Sequence, residues 1–322
     1  MEPAFQILSL DGGGIRGLFS AAILSLIEQD LNTRIADHFD LIVGTSTGGI
    51  IAIGLGLGLE PKSLVDFYLQ HCSDIFKNRF RARSALQWFR RKYSSAPLSA
   101  ALREVLGDRL FGESTKRLVI PAYNLGDDDV YLFRTPHHQR LRRDYRVPAW
   151  QVALATAAAP TFFPACREID QLRLIDGGIW ANNPAMVGVI EAVGTLNADI
   201  ANVKILSIGT YDSVNNRPPR LDRGGRISWA RGAAVVDVLM RAQSIGVNNH
   251  VKFLLAPDRF LRVDPRVPAA DMTLDLPCKT DDLISRAAHH SRTFMPQIEK
   301  IFCDHTAAPY QPLYAVEKYR KR

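Results

Sequence analysis

The sequence predicts an α/β fold with a largely parallel central sheet covered by helices on both faces, and three observations carry that prediction. Short β-favouring apolar runs alternate with longer segments of helical periodicity from one end of the chain to the other. Two of the runs, Phe5–Leu10 and Leu41–Val43, each end in a glycine-rich loop that leads straight into a helical segment. A third, Val203–Ile208, ends in Gly-Thr, the kind of strand end at which the loops of an open parallel sheet gather.

The first strand, Phe5–Leu10, is followed by D-G-G-G-I-R-G at Asp11–Gly17 and then by a helix from Leu18 to about Leu31, with Phe19, Ile23, Leu26 and Ile27 at helical spacing. Successive glycines at 12, 13 and 14 let backbone N–H groups turn together toward one point, where the helix dipole reinforces them. An anion or a developing oxyanion suits such a loop. Gly12, Gly14 and Gly17 also match G-x-G-x-x-G, but a dinucleotide-binding unit needs an acid at the end of its second strand to hold the ribose. Here the second strand, Leu41–Val43, ends instead in G-T-S-T-G. Gly44 and Gly48 flank Ser46 at minus two and plus two, which suits a sharp strand-to-helix turn that presents the Ser46 Oγ, and an apolar helix follows from Gly49. A serine in an ordinary glycine-rich turn has the same short pattern. An amide-donating loop beside a presented serine favours an oxyanion hole next to its nucleophile.

Pro61 starts a helix with Leu64, Phe67, Tyr68 and Leu69 on it, and Leu98–Leu106 reads as another. Leu118–Tyr123 and Val130–Phe133 read as a hairpin around G-D-D-D. A helix over Trp150–Ala159 is stopped by Pro160 and followed by T-F-F-P, an apolar aromatic loop that either lines a pocket or simply packs. Leu172–Ile175 is a strand delivering D-G-G at Asp176–Gly178, with N-N-P at Asn182–Pro184 before the next helix. An aspartate at a strand end followed by Gly177 and Gly178 can point into a cleft, although D-G by itself most often marks a turn. Trp229–Ile245 reads as a helix, Lys252–Leu255 and Phe260–Val263 as short strands, and Asp282–Phe302 as a last amphipathic helix with Leu283, Ala287, Phe294, Ile298 and Ile301 inward.

The 322 residues, 47% hydrophobic and 23% charged, are ample for one large core, and no linker, repeat or low-complexity stretch divides them. A single domain over 1–322 is expected, with its motifs within about 5–210 and the part from 211 to 322 completing or capping the fold. The N-terminus carries no secretory pattern, and the longest apolar run, Gly48–Leu59, is too short to span a bilayer. A cytoplasmic protein is expected. Cys72, Cys166, Cys278 and Cys303 lie far apart without C-x-x-C, so they read as buried small residues of a reduced compartment.

Forty Lys and Arg against 33 Asp and Glu leave a net charge of +7. The excess is local: Ile75–Arg103 holds no acid but carries Lys77, Arg79, Arg81, Arg83, Arg90, Arg91, Lys92 and Arg103, interleaved with Phe76, Phe80, Trp88, Phe89 and Tyr93. Such a segment suits an anionic membrane face or the phosphates of a nucleotide, and a solvated basic loop with its aromatics in the core is the plainer reading. Arg134, His137, His138, Arg140, Arg142, Arg143 and Arg146 form a second basic cluster.

D-G-G-G-I-R-G, G-T-S-T-G and D-G-G, in that order on an α/β chain, resemble the patatin-like phospholipases, over about Phe5–Thr210, and A-A-A-P-T-F-F-P and the D-G-G…N-N-P spacing fit the same family. The resemblance implies a three-layer α/β/α fold. It makes Ser46 the nucleophile, Asp176 the base, and Gly12, Gly13, Gly14 and Arg16 the oxyanion loop. F-Q-I-L-S-L-D-G-G-G-I-R-G and H-F-D-L-I-V-G-T-S-T-G-G-I-I-A further resemble the phospholipase effectors of cyclic-oligonucleotide anti-phage defence, which implies activation by a cyclic dinucleotide such as cyclic GMP-AMP.

A dyad differs from a Ser-His-Asp triad, which would need a histidine after the aspartate; His250, His289, His290 and His305 lie in no recognisable loop and read as surface or packed side chains. A carboxylate is a weak base for a serine hydroxyl, so proton transfer must accompany attack and the glycine loop must carry much of the stabilisation. Acylation of Ser46 by an ester and deacylation by water, with Asp176 as base in both, require no metal or other cofactor, and no acidic cluster resembles a calcium loop. The expected substrate is a membrane glycerophospholipid or its lyso form, at the inner membrane face. A thioesterase or peptidase with the same dyad, or a non-enzymatic nucleotide site in the glycine loops, are the rivals. Binding of a nucleic-acid polymer would need a fold motif that is absent. The sequence leaves the oligomeric state open, a homo-oligomer included.

Overall fold

The computed structural model describes residues 4–77, 93–210, 213–214, 219–225, 229, 234–265, 267–268 and 280–314. A seven-stranded sheet is built from β1 (Phe5–Leu10), β2 (Leu41–Gly44), β3 (Arg117–Asn124), β4 (Asp129–Arg134), β5 (Leu174–Asp176), β6 (Val203–Ile208) and β8 (Phe260–Val263), in the order β4-β3-β2-β1-β6-β8 with β5 also on β3. A short parallel pair, β7 (Ser213–Val214) and β9 (Val267–Pro268), lies apart from it. Strands β3, β2, β1, β6 and β8 are mutually parallel, whereas β4 and β5 run antiparallel to β3.

The parallel strands read as near-continuous apolar runs because both faces are covered. On one face Leu8, Leu10, Ile42, Leu118 and Leu206 meet α1 (Gly17–Leu31), α2 (Thr47–Gly56), α3 (Pro61–Ile75), α4 (Ala96–Leu106), α5 (Ala149–Thr156) and α9 (Thr280–Phe302). On the other, Ile7, Leu41, Val43, Val119, Val203 and Ile205 meet α7 (Ala185–Gly194) and α8 (Ala234–Leu254), and the four-residue α6 (Gly178–Ala181) precedes α7. This is the three-layer α/β/α arrangement that the resemblance implies. Helix α2 is buried along its whole length, as its all-round apolar sequence requires.

Three local expectations need correction, and a fourth runs into residues outside the described set. Lys252–Leu255 is not a strand; α8 runs to Leu254, and Val247, Val251 and Leu255, four apart, pack against the sheet. A short apolar run such as F-L-L cannot be told from a helix end by periodicity. The expected start of that helix at Trp229 is followed by residues outside the described set, and its described course starts at Ala234. Helix α5 stops at Thr156 rather than Ala159, because the residue before Pro160 is pushed out of the helical region. In α9 the buried residues are Leu283, Ala287, Ser291, Met295, Ile298 and Phe302, while Phe294 and Ile301 are only half-buried. The inward stripe is rotated because Phe302 packs on Phe39, ring centroids 5.7 Å apart, and its carbonyl accepts from the Gln6 side chain at 2.8 Å.

Cys72 and Cys166 are buried and Cys303 is half-buried, all as free thiols, and Cys278 lies outside the described residues. Arg79, Arg81, Arg83, Arg90, Arg91, Lys92, Phe80, Trp88 and Phe89 of the first basic segment also lie outside them. Two of its aromatics pack inward: Tyr93 contacts Phe76 and Phe162, at 5.5 and 6.3 Å between centroids. The T-F-F-P loop therefore packs against the end of this segment. No described helix is long and apolar enough to cross a membrane.

Candidate active site

Register brings the site together. Leu10 of β1 lies beside Gly44 of β2 and Ile208 of β6, so Asp11, Thr45 and Gly209 leave the sheet side by side. The Thr45 N–H donates to the Leu10 carbonyl at 3.1 Å and the Asp11 N–H to Ile208 at 3.1 Å, which extends the ladder into the loops. Strand order turns at β1, with β2 to one side and β6 to the other, and loops diverging from such a point open a crevice.

Ser46 stands between β2 and α2 with φ 55° and ψ −122°, a conformation that costs a non-glycine residue about 1–3 kcal/mol. The surroundings hold it there. Its N–H donates to Thr156 Oγ1 at 3.0 Å, the Thr156 hydroxyl donates onward to the Pro121 carbonyl at 2.6 Å, and the Ser46 carbonyl accepts the Ile50 N–H at 3.0 Å. A side chain at Gly48 would meet the Leu10 carbonyl at 2.3 Å, and one at Gly44 the Gly48 carbonyl at 2.2 Å, so the turn packs too closely for any Cβ. The first turn of α2 begins at Thr47, with its positive end at the serine.

Asp176 reaches Ser46 by a route that the sequence, which left the direction of its strand open, did not foresee. Both β4 and β5 pair with the far half of β3, so β5 takes the edge that β2 occupies lower down. Because β5 runs antiparallel, its carboxyl end travels back toward the end of β2 and delivers Asp176 over the Ser46 turn. The Ser46 hydroxyl lies close enough to the Asp176 carboxylate to favour its charged form, and Asp176 Oδ1 accepts the Gly178 N–H at 2.7 Å. Asp176 is 2% exposed. Burial pushes its carboxyl up to about 6, against the Ser46 hydroxyl and the Gly178 N–H, which favour the charged form. Gly177 lies on the Pro121 carbonyl, where a Cβ would approach to 2.4 Å, and Gly178 opens α6.

The glycine loop departs from three amides aimed at one point. The Gly12 N–H donates to the Asn182 carbonyl at 3.0 Å, and the Gly13 N–H to Thr47 Oγ1 at 3.2 Å. Gly14, at φ 60°, carries the N–H that meets no acceptor among the described residues. Gly12 lies against the serine, since a Cβ there would come within 3.1 Å of Ser46 Cβ. Arg16 Nε donates to the Gly13 carbonyl at 3.3 Å and so braces the loop, and Gly17 begins α1 beside Thr47 and Tyr68.

Several residues that sequence reasoning passed over hold these groups. Thr156 and Thr47 have been named; on α8, Gln243 brackets Asn183 with bonds of 3.1 and 3.3 Å, and Ser244 Oγ donates to Asp11 Oδ2 at 3.3 Å. Arg262 on β8 takes the Asp11 carboxylate with both terminal nitrogens. Burial pushes the Asp11 carboxyl up to about 6, and Arg262 pulls the other way. Among the described residues no histidine touches Ser46 or Asp176, and none of their His, Cys, Asp and Glu side chains group as a metal site. The second basic cluster lies elsewhere and is partly spoken for: Arg134 and His137 bond to Glu191, Arg143 to Asp170, and Arg142 to the Tyr314 hydroxyl. Burial pushes the His137 imidazole down from its usual value.

A hydroxyl on a buried carboxylate, beside an open backbone N–H and a helix N-terminus, is a constellation for acyl transfer. The family model described as patatin-like phospholipase matches residues 8–189. A protein of Escherichia coli (strain TW11681) named cGAMP-activated phospholipase is 34% identical over 301 residues, covering 85% of this chain and 84% of that one. One of the same name from Vibrio cholerae serotype O1 is 33% identical over 306 residues, 84% of this chain and 85% of its own. A third, from Pseudomonas aeruginosa, is 35% identical over 271 residues, 83% and 80%. The chain belongs to the patatin-like phospholipase family and is a carboxylic ester hydrolase.

Proposed function

We propose that this protein is a phospholipase A-type acyl hydrolase that cleaves membrane glycerophospholipid esters at the inner membrane face through an acyl-Ser46 intermediate, and that a cyclic dinucleotide activates it. The observation that carries the chemistry is a buried Asp176 carboxylate, 2% exposed, beside the Ser46 hydroxyl on its strained strand-to-helix turn. Asp176, ionised above about 6, accepts the serine proton as Oγ attacks the ester carbonyl, then returns it to the leaving lysophospholipid oxygen. Water enters by the reverse of these roles and releases the fatty acid. The Gly14 N–H and the first turn of α2 stabilise the negative oxygen of each tetrahedral intermediate; Arg16 keeps the loop in place. A carboxylate is too weak a base to generate free alkoxide, so most of the rate must come from these prearranged donors. The activator is inferred from the names of three relatives at 33–35% identity, and a gate is also what a membrane-degrading enzyme inside a cell requires.

The test is fatty-acid release from phosphatidylglycerol/phosphatidylethanolamine vesicles, with and without cyclic GMP-AMP and other cyclic dinucleotides, with Ser46→Ala as control. Release that needs one nucleotide and vanishes in the variant is the expected result. Equal release without nucleotide removes the gate but keeps the hydrolase, and undiminished release by Ser46→Ala overturns the dyad.

A further inference from the structure

Arg262 is the most heavily bonded side chain near the site, and it lies beyond the stretch that the family model matches. In register, Ser9 of β1, Ser207 of β6 and Arg262 of β8 stand side by side, a polar row across three parallel strands. The guanidinium reaches along that row: Nη1 donates to Ser207 Oγ at 2.7 Å and to Asp11 Oδ1 at 2.8 Å, and Nη2 to Asp11 Oδ2 and to Asp264 Oδ2 at 2.9 Å. Ser244 of α8 adds a further bond to Asp11 Oδ2. Both carboxylate oxygens of Asp11 are thereby occupied, within a side-chain environment only 12% exposed at Arg262 and 3% at Asp11.

Burying an ion pair is rarely worth more than an apolar replacement, so its place here needs another reason. Asp11 immediately precedes Gly12, Gly13 and Gly14. An aspartate whose oxygens are free bonds the backbone N–H groups two and three residues on, and glycines offer no steric resistance to that turn. In this chain those groups belong to Gly13 and Gly14, which follow Gly12 in the loop packed against Ser46.

We infer that Arg262 is a positioning residue that holds the Asp11 carboxylate away from the glycine loop, keeping the Gly14 N–H open for the oxygen that becomes negative during acyl transfer. The inference rests on the proposed reading of Ser46 and the loop. It gives the C-terminal part a definite role, in which β8 and α8 lock the carboxylate that would otherwise close the oxyanion hole.

The test measures kcat and KM on the vesicle substrate with activator, together with the rate at which a fluorophosphonate labels Ser46, in Arg262→Met, Arg262→Lys and the double variant Asp11→Ala/Arg262→Met. Arg262→Met is expected to lower kcat and the labelling rate on the order of 100-fold, as expected for a misplaced donor, with KM within about threefold. Adding Asp11→Ala removes the competitor and is expected to recover about tenfold or more in both rates. Arg262→Lys keeps the charge but cannot hold two oxygens at once, and is expected to fall between wild type and Arg262→Met. Thermal unfolding separates this from a purely structural pair, which would lower the transition temperature and leave kcat of the folded protein unchanged. The inference is overturned if kcat of Arg262→Met stays within about threefold of wild type. It is also overturned if the double variant is no faster than the single. Should Arg262→Met fail to fold, the same decision rests on Arg262→Lys against Asp11→Ala/Arg262→Lys. Activity surviving in Ser46→Ala would instead discard the reading of the nucleophile.

Discussion

At Asp176 one carboxyl group sets function against stability. Burial raises its pKa from 3.8 to about 6, so the fold binds that proton more tightly than the unfolded chain does. The stabilising contribution is present below the unfolded value, shrinks as pH rises, and is gone above about 6, where the ionised group is buried at a cost of roughly 3 kcal/mol. Asp176→Asn is therefore expected to abolish hydrolysis yet unfold at a higher temperature than wild type at pH 8, with the two converging near pH 4. A lower transition temperature for the Asn variant at pH 8 would contradict the buried-charge account. For the wild type, kcat/KM is expected to fall as pH drops through about 6, because the carboxylate must be ionised to accept the serine proton. Ser46 was legible in the sequence because glycines at 44 and 48 announce a turn that no side chain could fit. The strain at Ser46 was not, since φ 55° follows from packing around the turn.

Among elements, the turn from β2 into α2 depends on α5, which lies more than a hundred residues away in the chain. Thr156 at the end of α5 accepts from Ser46 and donates to Pro121, so one hydroxyl links the Ser46 turn, a helix and β3. Thr156→Val keeps the shape but leaves two buried backbone groups unpaired, which is expected to cost about 1–3 kcal/mol each. Urea unfolding is expected to show that loss, and esterase activity to fall with it, while Thr156→Ser stays near wild type; equal behaviour of Val and Ser would remove the hydroxyl from the account. Element boundaries were most legible for the buried parallel strands: Phe5–Leu10, Val203–Ile208 and Phe260–Val263 stand where the apolar runs place them. The end of α8 and the direction of β5 were not legible. A few apolar residues satisfy either period, and three residues of strand carry no sign of which way they pair.

Across the whole molecule, the sheet joins early and late sequence, since β1 pairs with β6 and β6 with β8, and α9 packs on α1 with Phe302 fully buried. We propose that the chain folds as one domain. Calorimetry is expected to show a single transition, and Phe302→Ala to lower it by about 3–5 kcal/mol of stability without splitting it; a second, independent transition would divide the chain into separate units. The order of D-G-G-G-I-R-G, G-T-S-T-G and D-G-G, the alternation of strand and helix, and the serine and aspartate of the proposed dyad were determined by the sequence itself. They are local patterns, set by steric freedom at glycine and by the period of apolar side chains. Tertiary structure alone decided that β5 turns Asp176 back onto Ser46, that the Gly14 amide meets no acceptor among the described residues, and that Arg262 faces Asp11 across two neighbouring strands. Each of those depends on strand direction or register between segments distant in the chain, and such pairing is chosen by the packing of the whole core rather than by any residue's own preference.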